Sequence, residues 1–305
     1  MTDQHGLAPQ ANGSHAVDVG PPPSSTSAPR QQDAGTAPGL DVRLTYGFGT
    51  DRGLRRELNE DSFLAVEPIF AVADGMGGHE AGEVASSVCI RTLEASSIAG
   101  TRLPRITAAE LDDVIRQAHQ SIRSEAGGHA GTTLTGVVLV EDSGAPAWLF
   151  FNVGDSRAYR LSSGTFGQIT VDHSEVQELV DLGSITEHEA RTHHRRHVVT
   201  RALGTGDDAD PDFWLMPVED RDRILLCSDG LSGEVTDEDI HLILETVPDP
   251  QDACDALIAA ALRSGARDNV TVIVVDASDP AGTHPGDGTG PGAAAGGRFA
   301  ADGDR

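Results

Sequence analysis

An α+β fold is what this sequence predicts. Strand-like runs fall into hairpin-like groups, helical signals fall into separate blocks between those groups, and no internal repeat is evident. A wound parallel sheet would instead alternate strand and helix one by one. In chain order, Ser62–Val66 and Ile69–Ala73 are the first strands, followed by a small-residue helix from about Glu80 to Leu93, directly after the Gly77-Gly78 turn. Thr107-Ala108-Ala109-Glu110 is a capping box, and Leu111, Val114, Ile115, Ala118 and Ile122 follow it at helical spacing. Leu134–Val140, Trp148–Val153, Arg157–Leu161 and Arg223–Cys227 are strands, several rich in β-branched or aromatic residues. Thr236 caps a helix through Ile240, Leu242 and Leu244, and a further helix places Cys254, Leu257, Ile258 and Ala261 on one face. The last strand, Val270–Asp276, is apolar enough to lie in the middle of a sheet.

The chain has 305 residues and is 38% apolar, ample for a core. One domain over residues 42–277 is expected. The segment before it repeats Pro, Gly, Ser, Gln and Ala, as in Pro21-Pro22-Pro23-Ser24-Ser25, so 1–41 is expected to be a disordered tail. A second is expected at 278–305, where Gly286-Asp287-Gly288-Thr289-Gly290-Pro291-Gly292 stands. The formal charge is −26; residues 1–40 and 278–305 each carry a net −2, leaving −22 between them. Such a field disfavours nucleic acid and anionic membrane surfaces, and it attracts divalent cations. All 22 basic residues are Arg, which removes lysine nucleophiles and offers bidentate phosphate recognition.

Cys89, Cys227 and Cys254 stand alone in apolar or amphipathic stretches without CxxC spacing, which indicates neither a disulfide framework nor a zinc ribbon. No stretch reaches about 18 consecutive apolar residues, and no basic-then-apolar leader opens the chain, so a soluble cytoplasmic protein is expected.

Four short acidic motifs carry the chemistry: Asn59-Glu60-Asp61, Asp74-Gly75-Met76-Gly77-Gly78, Ser228-Asp229-Gly230 and Asp268-Asn269. Three lie where a β-rich run gives way to a glycine turn or a helix, a place where side chains converge. Converging carboxylates repel unless a cation sits among them, and oxygen-only donors suit Mg²⁺ or Mn²⁺ better than Zn²⁺. One Asp-Gly after a strand is simply a turn. Two copies, after Ile69-Phe70-Ala71-Val72-Ala73 and after Ile224-Leu225-Leu226-Cys227, weaken that reading. Arg56, in isolation a surface ion-pair residue, makes sense beside an acidic cluster if the ligand is a phosphate. Gly154-Asp155-Ser156-Arg157 between two strands is either a hairpin turn or a further acidic contribution.

The chain resembles the metal-dependent serine/threonine phosphatases of the protein phosphatase 2C (PPM) family, bacterial type. The resemblance spans about residues 42–277 and rests on Arg56-x-x-Asn59-Glu60-Asp61, Val72-Ala73-Asp74-Gly75-Met76-Gly77-Gly78, Gly131-Thr132-Thr133, Asn152-Val153-Gly154-Asp155-Ser156-Arg157, Asp172-His173-Ser174, Leu226-Cys227-Ser228-Asp229-Gly230-Leu231 and Arg267-Asp268-Asn269-Val270-Thr271. It implies a four-layer α-β-β-α sandwich, two antiparallel β-sheets flanked by helix pairs, with two Mn²⁺ or Mg²⁺ ions in a cleft at one end. On the same footing Asp74 bridges both ions, the Gly75 carbonyl binds one, and Asp229 with Asp268 bind the other. Glu60 and Asp61 orient waters, Arg56 holds the substrate phosphate, and Asp155 with Asp229 forms a weaker third metal site. The implied reaction is hydrolysis of phosphoserine and phosphothreonine by in-line attack of a water activated by two cations. Phosphoproteins, a Ser/Thr kinase and its targets among them, are the implied partners of a monomer.

One departure is Met76, where animal members carry a histidine thought to protonate the leaving group; His79 and a metal-bound water are the alternatives. The Asp172–Gly204 stretch corresponds to a flap beside the cleft, whose Arg residues are expected either to steer phosphopeptides or to form an ordinary solvated surface. Four of its histidines, His188, His193, His194 and His197, lack the spacing and cysteine partner of a zinc site. Two rival readings are a phosphatase dedicated to one regulatory phosphoprotein and a pseudo-enzyme that keeps the fold as a binding module. A calcium-binding structural protein is disfavoured, since no twelve-residue EF-hand loop or nonapeptide repeat is present.

Overall fold

Alternating burial along the strands sorts their side chains into three apolar layers. A computed structural model describes residues 26–27, 42–77, 81–100, 105–128, 130–206, 209–278 and 298–299. His79 and nearly all of the expected tails, 1–41 and 278–305, lie outside the described residues. One sheet runs in the order β1 (Thr26–Ser27), β2 (Arg43–Asp51), β12 (Val270–Ser278), β11 (Arg223–Cys227), β8 (Arg157–Ser162) and β9 (Thr165–Gln168). The other runs β13 (Arg298–Phe299), β10 (Asp212–Pro217), β7 (Ala145–Val153), β6 (Leu134–Asp142), β4 (Ile69–Met76) and β3 (Asp61–Val66), with β5 (Gly131–Thr132) paired to the end of β4. Every ladder is antiparallel.

Between the sheets, Phe70, Val72, Val137, Trp148 and Phe150 meet Leu44, Ile224, Leu226, Ile273 and Val275. The opposite faces are equally apolar. Ile69, Ala71, Leu134 and Phe151 lie under α1 (Ala81–Glu94) and α2 (Ala108–Glu125) through Cys89, Leu93, Leu111 and Ile115. Leu225, Val272 and Val274 lie under α6 (Asp237–Thr246) and α7 (Pro250–Ser264) through Ile240, Leu244, Cys254 and Leu257. Each such large aliphatic side chain stabilises the fold by roughly 1.5–3 kcal/mol. The result is the expected α-β-β-α sandwich. Among the described residues there are also three shorter helices, α3 (Glu175–Asp181), α4 (Glu187–Ala190) and α5 (Asp229–Ser232), the first two lying in the flap between β9 and β10. No helix among the described residues is long and apolar enough to cross a membrane.

The predicted caps hold: Thr107 and Glu110 bond reciprocally at the start of α2, and Thr236 accepts from the Asp239 amide. Six strands stand where the sequence pattern shows none: β2, β5, β9 and β10, and the two-residue β1 and β13 within the expected tails. Leu44, Tyr46 and Phe48 of β2 do alternate inward, but Gly47 and Gly49 occupy the other face. They are there because α7 lies directly upon them: a Cβ on Gly47 would stand 2.4 Å from the Gln251 Cα, and one on Gly49 2.6 Å from the Ile258 Cδ1. The Gln251 side chain accepts from the Phe48 amide at 3.1 Å and donates to its carbonyl at 3.0 Å. β10 is bracketed by Pro211 and Pro217, residues that read as loop signals; β13 pairs only with Phe213 and Trp214, so Pro217 lies on a stretch of β10 with an open side, where proline is tolerated.

Candidate metal and phosphate site

Asp61 and Asp74 are cross-strand partners at the ends of β3 and β4. Asp229 opens α5 directly after β11, and Asp268 lies in the turn before β12. Two sheets thus bring carboxylates from opposite ends of the sequence to one edge of the sandwich. Asp61 stitches them together: its Oδ2 accepts from Ser228 Oγ at 2.8 Å and from Thr271 Oγ1 at 2.7 Å. Its Oδ1 is buried without a hydrogen-bond partner among the described residues, as is Oδ1 of Asp229.

Burial pushes the Asp61 carboxyl up to about 7; the Asp229 and Asp268 charges add to this, and the two hydroxyl donors oppose it. Asp74 is held well above the usual carboxylate range by burial, then by the charges of Asp61, Asp229, Asp155 and Asp268. Asp155 is raised well above it too, by burial first and by Asp229 and Asp172 next, with Arg157 pulling the other way. Each of these groups resists ionisation beside the others, so a cation among them would stabilise all three. Among the described residues no three His, Cys, Asp or Glu side chains close on one point as a finished cage. Mg²⁺ does not require one, since it keeps several waters and takes one or two carboxylates. Buried unpartnered oxygens and an all-oxygen donor set fit Mg²⁺ or Mn²⁺.

Backbone geometry around Asp74 is tightly held. Its carbonyl accepts from the Thr133 amide and from Thr132 Oγ1, each at 2.9 Å, and its amide donates to Thr133 Oγ1 at 3.0 Å. The next residue admits no side chain: a Cβ on Gly75 would lie 2.1 Å from the Gly82 carbonyl oxygen and 2.6 Å from that of Glu60. Gly82, at the start of α1, is constrained in turn. A Cβ there would stand 2.5 Å from Glu60 Oε1 and 2.8 Å from the Gly75 carbonyl oxygen, so those two oxygens share one small space.

The loop from Arg52 to Glu60 is fastened by Asn269, which is 4% exposed. Its Nδ2 donates to the carbonyls of Arg52 and Leu58, both at 2.9 Å, and its Oδ1 accepts from the Glu60 amide at 2.8 Å. Arg56 projects from this loop with its side chain 48% exposed, and its guanidinium donates to Asp268 Oδ2 at 2.5 Å. The sequence pattern identifies Arg56 and Asp268 separately; the structure joins them.

Asp155 follows Gly154, whose φ of 110° only glycine adopts readily. A cavity of about 460 Å³ runs from Asp155 and Asp229 between the flap and α6, past Arg191, Arg196, His197 and Asp237. His197 Nδ1 stands 3.8 Å from Asp229 Oδ2. Most flap arginines are already engaged: Arg195 with Glu175, Arg191 with Asp237 at 3.6 Å, and Arg201 with Asp212 at 3.4 Å. That leaves less free positive charge for steering than the bare sequence suggests. Met76, at the end of β4, pairs with Gly131. Ser228, Thr271, Thr133 and Asn269 stand inside the quoted motifs, yet motif reading gives them no role; the structure shows them as supporting residues.

A family model described as Protein phosphatase 2C matches residues 49–264. The serine/threonine protein phosphatase PstP of Mycobacterium tuberculosis is 41% identical over 244 residues, which cover 77% of this chain and 45% of that protein. The serine/threonine phosphatase stp of Listeria welshimeri is 36% identical over 243 residues, 75% of this chain and 94% of the other. The chain therefore spans less than half the length of the mycobacterial relative and nearly all of the Listeria one. Among solved structures, the catalytic domain of PstP in complex with two manganese ions superposes with a TM-score of 0.68 at 39% identity, covering 78% of this chain and 100% of that one. MsPP of Mycobacterium smegmatis, a PPM Ser-Thr phosphatase in complex with cacodylate, gives 0.69 at 39% identity, with 76% and 97% covered.

Proposed function

The chain belongs to the protein phosphatase 2C family, and from that premise we propose that it removes phosphate from phosphoserine and phosphothreonine side chains of proteins, using two Mn²⁺ or Mg²⁺ ions. One observation carries this reading: acidic residues from both sheets meet at one edge, with buried carboxylate oxygens left unpartnered and an arginine head beside them. Two divalent cations held there would supply a water nucleophilic near neutral pH and offset charge on the phosphate oxygens.

Asp74, enclosed and gripped by Thr132 and Thr133, would bridge the two ions on this reading. Asp229 and Asp268 would hold one of them and the Gly75 carbonyl the other, Glu60 beside that carbonyl would orient water, and Asp155 with Asp229 would offer a third position. Asp61 keeps one oxygen on Ser228 and Thr271, which leaves the other to orient water. Arg56 exchanges its bond to Asp268 for two oxygens of the substrate phosphate, a bidentate match that lysine cannot provide. Held there, the ester oxygen of serine or threonine leaves in line with the attacking water. Met76 carries no proton to give to that oxygen, so the donor is another group. Partners on this reading are phosphoproteins, a Ser/Thr kinase and its targets among them, met by a monomer.

The test is release of phosphate from a phosphothreonine peptide by the full chain, with and without Mn²⁺, beside Asp229→Asn. Metal-dependent release that disappears in the variant is the expected result. Tight Mn²⁺ binding without turnover would replace the enzyme by a binding module.

A further inference from the structure

His173 stands outside the acidic motifs, is 5% exposed, and contacts the Asp155 turn through both its backbone and its ring. Its amide donates to the Gly154 carbonyl at 2.8 Å, while the Gly154 amide donates to its Nδ1 at 3.1 Å. Because Nδ1 accepts, the ring proton belongs on Nε2, which donates to Asp212 Oδ2 at 3.2 Å. The imidazole is therefore locked between the turn and the first residue of β10. From the other side, a Cβ on Gly154 would lie 2.6 Å from the Thr133 Cβ, so the turn has no room to slide away. His173 also forms one stem of the flap: its carbonyl accepts from the Thr200 amide at 2.8 Å, and the adjoining Glu175 amide donates to the Val198 carbonyl at 2.9 Å.

We propose that His173 is a positioning residue that holds the Gly154–Asp155 turn so that Asp155 faces Asp229, and thereby maintains the outer cation position those two carboxylates form. The inference rests on the metal-dependent reading above. Asp155 reaches its place by a glycine-only backbone conformation, and the buried Gly154 amide needs an acceptor to keep it. The His173 ring supplies that acceptor. Groups that orient a ligand without touching the ion typically change metal affinity by about 10–100-fold when lost.

The experiment uses the full chain with His173→Leu, His173→Asn and Asp155→Asn, each confirmed folded by thermal melting. Mn²⁺ binding is counted by electron paramagnetic resonance of the free ion, and turnover is measured against Mn²⁺ concentration on a phosphothreonine peptide. Leucine removes the acceptor, whereas the asparagine Oδ1 takes the place of Nδ1. In H173L the weakest class of bound Mn²⁺ should lose about tenfold or more in affinity, as in D155N, with the tighter ions unchanged and H173N within about threefold of wild type. Wild-type Mn²⁺ binding in H173L overturns the proposal. So does a loss of every class of ion in both His173 variants, which would mark a general structural role. Wild-type chain that binds Mn²⁺ without turnover overturns the phosphatase reading alone, because the His173 role is still read from binding; a wild-type chain that binds no Mn²⁺ overturns both.

Discussion

Replacing Asn269 with alanine tests whether the site depends on a residue that touches neither ion nor substrate. The side chain makes three hydrogen bonds, at 2.9, 2.9 and 2.8 Å, to the backbone of the loop that carries Arg56 and Glu60. At a net ~1 kcal/mol each, their loss costs about 3 kcal/mol. For a domain of this size 1 kcal/mol lowers the melting midpoint by about 2–4 °C, so N269A should melt about 6–12 °C below wild type. Calorimetry measures it directly. The loosened loop should also raise KM for a phosphopeptide more than it lowers kcat, since Arg56 then samples positions away from Asp268. A melting point within about 2 °C of wild type, with unchanged KM, would refute the reasoning, because it would mean that three buried bonds contribute nothing measurable.

Arg56→Ala removes a charged phosphate donor worth about 1.5–3 kcal/mol, so kcat/KM should fall by about 10–100-fold, and Arg56→Lys should recover little of it; full recovery by lysine would argue against a bidentate contact. Gly82→Ala should gain roughly 1 kcal/mol in helix propensity yet weaken Mn²⁺ binding in a titration, since its Cβ enters the space between Glu60 Oε1 and the Gly75 carbonyl. Unchanged Mn²⁺ affinity in G82A would remove both oxygens from the site. The pH dependence of stability follows from Asp61, pushed up to about 7, and from Asp74 and Asp155, raised well above the usual range. Unfolded aspartate titrates near ~3.9, so the folded chain holds more protons across the interval from there to 7, and stability falls as pH rises through it. The metal-free chain should therefore melt higher at pH 5.5 than at pH 7.5, and saturating Mg²⁺ should flatten the difference; a metal-free midpoint that rises over that interval would contradict the arrangement.

The α+β class and the acidic residues were legible because both are written in local pattern, and the four-layer sandwich followed from the family resemblance. Strands such as Ile69–Met76 and Arg223–Cys227 announce themselves by apolar runs that end at Asp-Gly, and α2 by its capping box and helical spacing. Carboxylates at successive strand ends point to a cation because their chemistry has few other uses. What the amino-acid order could not show is which distant group each polar atom meets. β2 reads poorly as a strand because Gly47 and Gly49 were selected by the helix lying on them, some two hundred positions later in the chain. Asn269 sits in an acidic motif, yet its amide holds a loop. Arg56 and Asp268 form a pair, and Asp61 binds Ser228 and Thr271 across two sheets. Periodicity and turn chemistry record burial and local backbone geometry, both settled within a few residues. Hydrogen-bond partners and shared charge depend on long-range packing, and only the assembled tertiary structure decides them.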